Sequence, residues 1–372
     1  MIFSINIPVR IISGRGCLRR NSKDLILGKK AFLVTGRSGA SSSGALKDVE
    51  DILSDASVEY ASYTKVNANP PLMDVYEAGK AAAEFGADFI IGIGGGSAMD
   101  SAKAIAAFAA NADVSPEDIF SSEKLKNGAL PIVLIPTTAG TGSEANPYSV
   151  LSLPCGNKKK TYSSTYAWAK VAFLDPAYTE SLNYSATVST ALDAFAHALE
   201  SYLSPKANAL STMLAEYAAK NIWDVLTQMP DEFTEEHRDM LCYASCAAGA
   251  AISITGTGFP HPLGYSLTML SGLPHGRACA VFHGDYIEYN MRTEIGAEKL
   301  NKLAEAIGTT PRLMAEFLPG LADVDITLTD EEIRTYVDLI KGAKNYGNSP
   351  YVINEEEMLA IYRKHFTRKR GK

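Results

Sequence analysis

Nowhere in the 372-residue chain do eighteen apolar residues run together, which excludes a conventional membrane-spanning helix. Cysteine is scarce and odd in number: Cys17, Cys155, Cys242, Cys246 and Cys279 are too scattered for a disulfide framework. Cys242 and Cys246 stand one helical turn apart, but no histidine or further cysteine pair accompanies them, so they read as small packing residues. Positive charge is in deficit, with 35 Lys and Arg against 42 Asp and Glu and a net charge of −7. A general nucleic-acid-binding surface is therefore not expected; the basic runs at 158–160 and 368–370 are local, the second a solvated tail. The first residues lack a basic stretch ahead of their short apolar run, which Pro8 and Arg10 interrupt. They read as a strand pair turning at Gly14–Gly16, not as a signal peptide, and the cytoplasm is the expected location.

What is present is globular: 46% of residues are hydrophobic and 21% charged, and the length suits two domains. Continuous apolar runs at 31–35, 89–93, 132–136 and 171–175 alternate with helical periods at 44–54, 72–85 and 97–110. Apolar strands separated by helices predict a parallel sheet covered on both faces. From about residue 183 strand-like runs vanish and helical periods continue to the end, one of them over 276–291. The expected fold is thus α/β followed by all-α. Residues 1–182 are expected to form a Rossmann-like parallel-sheet domain, and residues 183–372 a helical one; the motifs below make the first the cofactor domain and the second the metal-binding domain.

Two polar loops follow successive strands. The first, Gly94, Gly95, Gly96 and Ser97, joins a strand to a helix. Glycines there let the backbone approach a phosphate, and the helix start offers N–H groups and a positive dipole end. The spacing is not the ordinary dinucleotide fingerprint, because Ser97 stands where a third glycine would. The second loop, PTTAGTGSE at 136–144, supplies Thr137, Thr138, Thr141 and Ser143 as hydrogen-bonding groups. The first strand ends in Gly36, Arg37 and Ser38 with no carboxylate to take a ribose 2′-hydroxyl. Space at Gly36 and the polar groups of Arg37 and Ser38 predict NADP over NAD.

Six histidines occur, and three stand in ordered contexts. His197 follows Asp193 by four residues in a helical segment, so both project from one helix face. Alone, that pair is more often a buried hydrogen-bonded couple than half a metal site. His261, in GTGFPHPLG, and His275, in GLPHGR, tip the balance. One carboxylate and three imidazoles can hold a divalent metal and leave a position for substrate. His237 and His365 lie among charges and read as solvated, while His283 reads as a structural or cleft-lining group. A metal and a nicotinamide cofactor together predict hydride transfer between NADP(H) and an alcohol or aldehyde. Phe259, Leu263 and Tyr265 around the ligand loop predict an apolar pocket for small aliphatic substrates.

With these motifs in hand, the chain resembles the iron-dependent (group III) alcohol dehydrogenase family. The resemblance rests on GGGSAMDSAK at 94–103, PTTAGTGSE at 136–144, DAFAHALESYLS at 193–204 and the stretch from His261 to Gly276, and it covers essentially the whole chain. It implies a dehydroquinate synthase-like fold with catalysis in the cleft between its domains. It also implies Fe(II), in some relatives Zn(II), on Asp193, His197, His261 and His275. Pyrophosphate would lie on Gly94–Ser97, Asp100 and Lys103 would line or brace that pocket, and Lys159 or Lys160 would lie near the cofactor. A homodimer is the family's common assembly. Many relatives carry a further histidine four residues after the first loop ligand; here that place is Tyr265. Two rivals remain: a dehydroquinate synthase-like lyase, which would need several basic residues where only Arg277 stands, and a non-catalytic NADP-binding protein, which intact metal ligands disfavour.

Overall fold

The computed structural model describes residues 3–154 and 158–367, so Cys155 and the basic run 368–370 lie outside the described residues. Six strands form one parallel sheet: β1 (Arg10–Ser13), β2 (Lys30–Gly36), β3 (Glu59–Val66), β4 (Phe89–Gly94), β5 (Ile132–Pro136) and β8 (Val171–Leu174). Their spatial order is β1-β8-β5-β4-β2-β3. Alternation along each strand explains the continuous apolar runs. Phe32, Val34, Ile90, Ile132 and Leu134 pack on one face with the helix Leu72–Phe85, while Ala31, Leu33, Ile91, Val133 and Ile135 pack on the other with the helix Ala45–Asp55.

The sheet departs from expectation at its margins. Among the described residues the N-terminal strand pair is not present; β1 alone is a strand, and it pairs with β8, in register Arg10 with Val171. Edge strand β3 has no continuous apolar run, because its residues are mostly exposed. An antiparallel pair, β6 (Tyr148–Ser152) and β7 (Lys159–Ser163), follows the second polar loop.

The chain folds as two compact units. Ser4–Asn183 and Glu232–Gly249 make up the sheet-bearing one, so a segment expected with the helical half packs here. The reason is close backbone approach: a Cβ on Gly249 would lie 2.2 Å from the carbonyl oxygen of Gly142, whose φ of +55° also favours glycine. The other unit takes Tyr184–Asp231 and the chain from Ala250 on, and is helical, with no strand among the described residues. Its helices carry local start signals, such as Asn208 accepting from the N–H groups of Leu210 and Ser211, and reciprocal capping boxes at Thr329 and Asn354. The period over 276–291 is broken into two helices, His275–Ala280 and His283–Asn290. No single helix among the described residues is long and apolar enough to cross a membrane.

Candidate metal centre and cofactor loops

Asp193 and His197 lie in the middle of the helix Tyr184–Leu203, on its buried side. His261 is the second residue of the helix Pro260–Ser271, whose first residue is a proline with its φ already set for a helix. His275 opens the helix His275–Ala280. That helix lies backbone to backbone on Tyr184–Leu203, because Gly276 has no side chain: a Cβ there would sit 1.8 Å from the carbonyl oxygen of Ser189. The contact lies one turn ahead of Asp193 and sets His275 beside it.

The three imidazoles converge on one carboxylate oxygen. The Nε2 atoms of His261, His275 and His197 lie 3.7, 3.8 and 4.0 Å from Asp193 Oδ1. These separations are too long for hydrogen bonds. They approach the edge of a donor polyhedron, about 3.4 Å for tetrahedral ligands at about 2.1 Å from a metal. The rings of His197 and His261 stack at 4.6 Å, and His275 stands edge-on to His261. The donor chemistry, one carboxylate with three imidazoles, fits Fe(II) or Zn(II).

Two contributors were not picked out from the sequence. Glu200, fully buried, holds His261 Nδ1 at 2.8 and 2.9 Å with its two oxygens and also accepts the Gly258 N–H. A proton on Nδ1 directed at that carboxylate leaves the Nε2 lone pair facing Asp193. Burial pushes the Glu200 carboxyl up, and His261 and the Gly258 N–H oppose the shift. The second is Cys279, whose sulfur joins Asp193, His261 and His275 in a group of donor atoms all within 4.8 Å of one another. The available signal was its spacing of four from His275, the same interval as Asp193 to His197.

The remaining histidines separate. His237 is half-buried, accepting the Thr234 N–H at 3.3 Å. His365 is not simply solvated: it pairs with the buried carboxylate of Asp285 at 2.6 Å. His283 is fully buried with neither ring nitrogen hydrogen-bonded, and burial lowers its pKa to about 3, so it is neutral. Around the ligand loop, Phe259 and Leu263 are fully buried, and Phe259 packs edge-on against Tyr286. Of the three expected pocket residues only Tyr265 is partly open, stacked on His275 at 5.5 Å.

In the sheet-bearing unit, β2, β4 and β5 are neighbours and end together, with Thr35 beside Ile93 and Gly94 beside Pro136. Residues 36–38, 94–97 and 137–143 therefore follow the carboxyl ends of adjacent parallel strands, where open α/β sheets bind ligands. The glycine turn is packed so tightly that side chains would fill it. A Cβ on Gly96 would meet Thr141 at 2.5 Å, one on Gly95 would meet Thr138 at 3.2 Å, and Gly94 has a φ of +145°. The helix Gly96–Ala110 begins within this turn. A bare backbone turn at a helix start is the shape a pyrophosphate needs.

Not every expected cofactor residue faces this turn. The Ser143 hydroxyl donates to Asp100 at 2.6 Å, and Lys103, fully buried, donates to the Ser143 oxygens at 2.6 and 2.7 Å and to the Tyr148 carbonyl at 2.7 Å. Asp100 also accepts the Val150 N–H. These three side chains brace the loop from inside. Burial lowers the Lys103 ammonium to about 8 and raises Asp100. Arg37 and Ser38 are exposed, and Arg37 reaches Asn67 at 3.3 Å. Lys160 is exposed on β7, its ammonium 4.3 Å above the ring of Phe120.

Glu144, next to this brace, is 2% exposed, and burial raises its pKa from 4.5 to about 7 against a hydrogen bond from Cys246. The folded chain thus keeps a proton that the unfolded chain has lost. The stability this provides is fully present below 4.5 and is lost as pH rises through about 7. The loss is on the order of 3 kcal/mol. Urea unfolding across that window should show wild-type stability falling with pH and Glu144→Gln nearly flat by comparison; equal slopes would remove Glu144 as the cause.

Comparison with known proteins finds relatives over most of the chain. Residues 8–176 match the family profile described as iron-containing alcohol dehydrogenase, and residues 187–366 that of the Fe-containing alcohol dehydrogenase family, C-terminal. A sulfoacetaldehyde reductase of Bilophila wadsworthia is 31% identical over 97% of this chain and 92% of its own. An NADPH-dependent butanol dehydrogenase of Clostridium saccharobutylicum is 27% identical over 96% of each chain. The crystal structure of a sulfoacetaldehyde reductase from Bifidobacterium kashiwanohense in complex with NAD+ superposes with a TM-score of 0.87 at 27% identity, covering 99% of this chain and 100% of that one.

Proposed function

The chain belongs to the iron-containing alcohol dehydrogenase family, an NAD(P)-linked group of oxidoreductases, and from that premise we propose that it interconverts small uncharged aldehydes and alcohols with NADP(H) as the preferred cofactor. The observation that carries the reading is the convergence of three imidazole Nε2 atoms on Asp193 Oδ1. We assign the metal to Asp193, His197, His261 and His275, within residues 183–372, and the cofactor to the loops of residues 1–182.

A divalent metal at that place supplies Lewis acidity to an alcohol or carbonyl oxygen, and the nicotinamide carries the hydride. The chain's own groups do the positioning. Glu200 fixes the tautomer and the ring plane of His261, and Gly276 fixes the distance of His275 from Asp193. Gly94 to Gly96 keep side chains out of the phosphate turn, while Ser143, Asp100 and Lys103 hold the second loop from inside. Tyr265 is stacked on His275 at 5.5 Å and sets an aromatic ring, not a cation, beside the donors.

An uncharged substrate is further supported by Arg277. Its guanidinium turns to the Ala322 carbonyl at 3.0 Å and to Ser185 at 3.2 Å, committed to the surrounding fold. The Clostridium relative is named for butanol and the two reductases for sulfoacetaldehyde, so the family itself spans neutral and anionic substrates.

The cofactor preference rests on Gly36, Arg37 and Ser38, where no carboxylate repels a 2′-phosphate. Steady-state assays with short aldehydes should give a kcat/KM for NADPH at least about tenfold above that for NADH, about 1.4 kcal/mol of discrimination. Gly36→Asp should reverse the order by restoring a 2′-hydroxyl acceptor and adding a repelling charge. Equal efficiency with both cofactors would overturn the preference and leave the reaction class intact.

A further inference from the structure

We propose that Thr268 is a positioning residue of the metal centre: its hydroxyl accepts the Nδ1–H of His275 and holds that imidazole in the tautomer whose Nε2 faces Asp193. The proposal rests on the assignment of His275 as a metal ligand. Of the three imidazoles His275 is the most open, its side chain 27% exposed against 3% for His261 and 7% for His197. Burial therefore does least to fix this ring, and its orientation depends on specific contacts.

One such contact is made at Nδ1. Thr268 Oγ1 lies 3.4 Å from His275 Nδ1, and the same hydroxyl donates to the Gly264 carbonyl at 2.9 Å. A hydroxyl has one proton to give. With that proton spent on the shorter bond, the oxygen turns only lone pairs to His275, and the ring nitrogen is the donor. A proton on Nδ1 leaves Nε2 bare, 3.8 Å from Asp193 Oδ1, as a metal requires. Glu200 does the same for His261 with a charged acceptor, and Thr268 does it for His275 with a neutral one.

The reach of this hydroxyl is set by two helices. His261, Tyr265 and Thr268 stand at i, i+4 and i+7 of the helix Pro260–Ser271, on one face. That face gives the centre a ligand, a ring stacked on His275 at 5.5 Å and the hydroxyl at its Nδ1. Gly264 lets the helix His275–Ala280 come close enough: a Cβ there would lie 2.9 Å from the Cys279 sulfur and 3.1 Å from the Cys279 nitrogen. The sulfur itself lies against the His275 ring, 3.7 Å from Nε2 and 3.9 Å from Nδ1, and confines it. Thr268 is buried and β-branched, and its bond back to Gly264 leaves the hydroxyl one direction.

Competition between the Zn(II)-loaded full-length protein and a chromophoric chelator tests this. Thr268→Val keeps the side-chain shape and removes the acceptor, so the Zn(II) dissociation constant should rise about tenfold to a hundredfold. Thr268→Ser restores the hydroxyl and should stay within about threefold of the wild type. The metal-free proteins should unfold within about 2 °C of one another, because the Gly264 carbonyl still takes the helical N–H of residue 268. An unchanged constant in Thr268→Val, or a rise in Thr268→Ser as large as in Thr268→Val, overturns the role of Thr268 and leaves the metal centre standing. A metal-free Tm that falls together with affinity in Thr268→Val marks a packing effect and overturns it equally. A wild type that retains no Zn(II) overturns both the role of Thr268 and the assignment of His275. Should Thr268→Val not fold, Thr268→Ala, which only removes atoms, takes its place in the same comparison.

Discussion

Asp193→Ala should abolish metal retention and turnover together. Its Oδ1 is the shared neighbour of the His197, His261 and His275 Nε2 atoms, so the substitution removes the carboxylate from a cluster of imidazoles. The imidazoles that remain are neutral donors, one ligand short and without the carboxylate's charge to offset a divalent cation. Loss of the Lewis acid removes several kcal/mol of charge stabilisation, so kcat/KM for aldehyde reduction should fall at least about a thousandfold. Metal analysis of the purified protein should fall in parallel. Asp193→Asn separates charge from shape, since it keeps the side-chain volume within a buried helix. A folded alanine variant that keeps both metal and turnover would place the reaction elsewhere in the chain.

Gly276→Ala should be the most damaging single-carbon change in the helical unit. The new Cβ would lie 1.8 Å from the Ser189 carbonyl oxygen and 2.9 Å from the Asp193 nitrogen. Both neighbours are backbone atoms of the helix Tyr184–Leu203, so no rotamer change relieves the overlap and the helix His275–Ala280 must move. Overpacking of this kind costs about 3 kcal/mol or more, and for a domain of this size that lowers Tm by about 6–12 °C. Metal content should fall as well, because His275 is carried away from Asp193. Gly272→Ala is the control. Its φ is +68°, but nothing lies within 4 Å of a Cβ there, so it carries backbone strain of about 1 kcal/mol and no displacement. An unchanged Tm and metal content in Gly276→Ala would show that helix packing does not set the position of His275.

Strands buried on both faces were plain in the amino-acid order. The runs at 31–35, 89–93, 132–136 and 171–175 correspond to β2, β4, β5 and β8, all deep in the sheet. Edge strand β3 was hidden because its side chains face solvent and give no apolar run. β1 misled in another way. Its partner is β8, some 160 residues away, and no local signal announces a parallel pairing of that span. The helical period over 276–291 was real, but Val281 and Phe282 interrupt it, and both are buried by contacts that periodicity does not record.

The candidate site divides in the same manner. Spacing along a helix is local, fixed by 3.6 residues per turn, so Asp193 with His197 could be read as one pair of donors. The bareness of Gly94 to Gly96 ahead of a helix was equally local. What each side chain meets across the fold was not. Ser143 looked like a cofactor group and instead closes a buried brace with Asp100 and Lys103, because the loop folds back over the helix Gly96–Ala110. Lys160 was expected near the cofactor and lies on the Phe120 ring. Glu200 was silent in the sequence, since a carboxylate announces nothing until a distant histidine is laid against it, and Cys279 showed only its spacing of four from His275.

The amino-acid order by itself determined the donor types, their intervals within single helices and the turns that only glycine can make, because each depends on a few neighbouring dihedral angles. The tertiary structure alone decided which donors share a centre and which polar groups are spent on bracing, because those depend on how closely two backbones approach, as Gly276 and Ser189 do, and no local rule sets that distance.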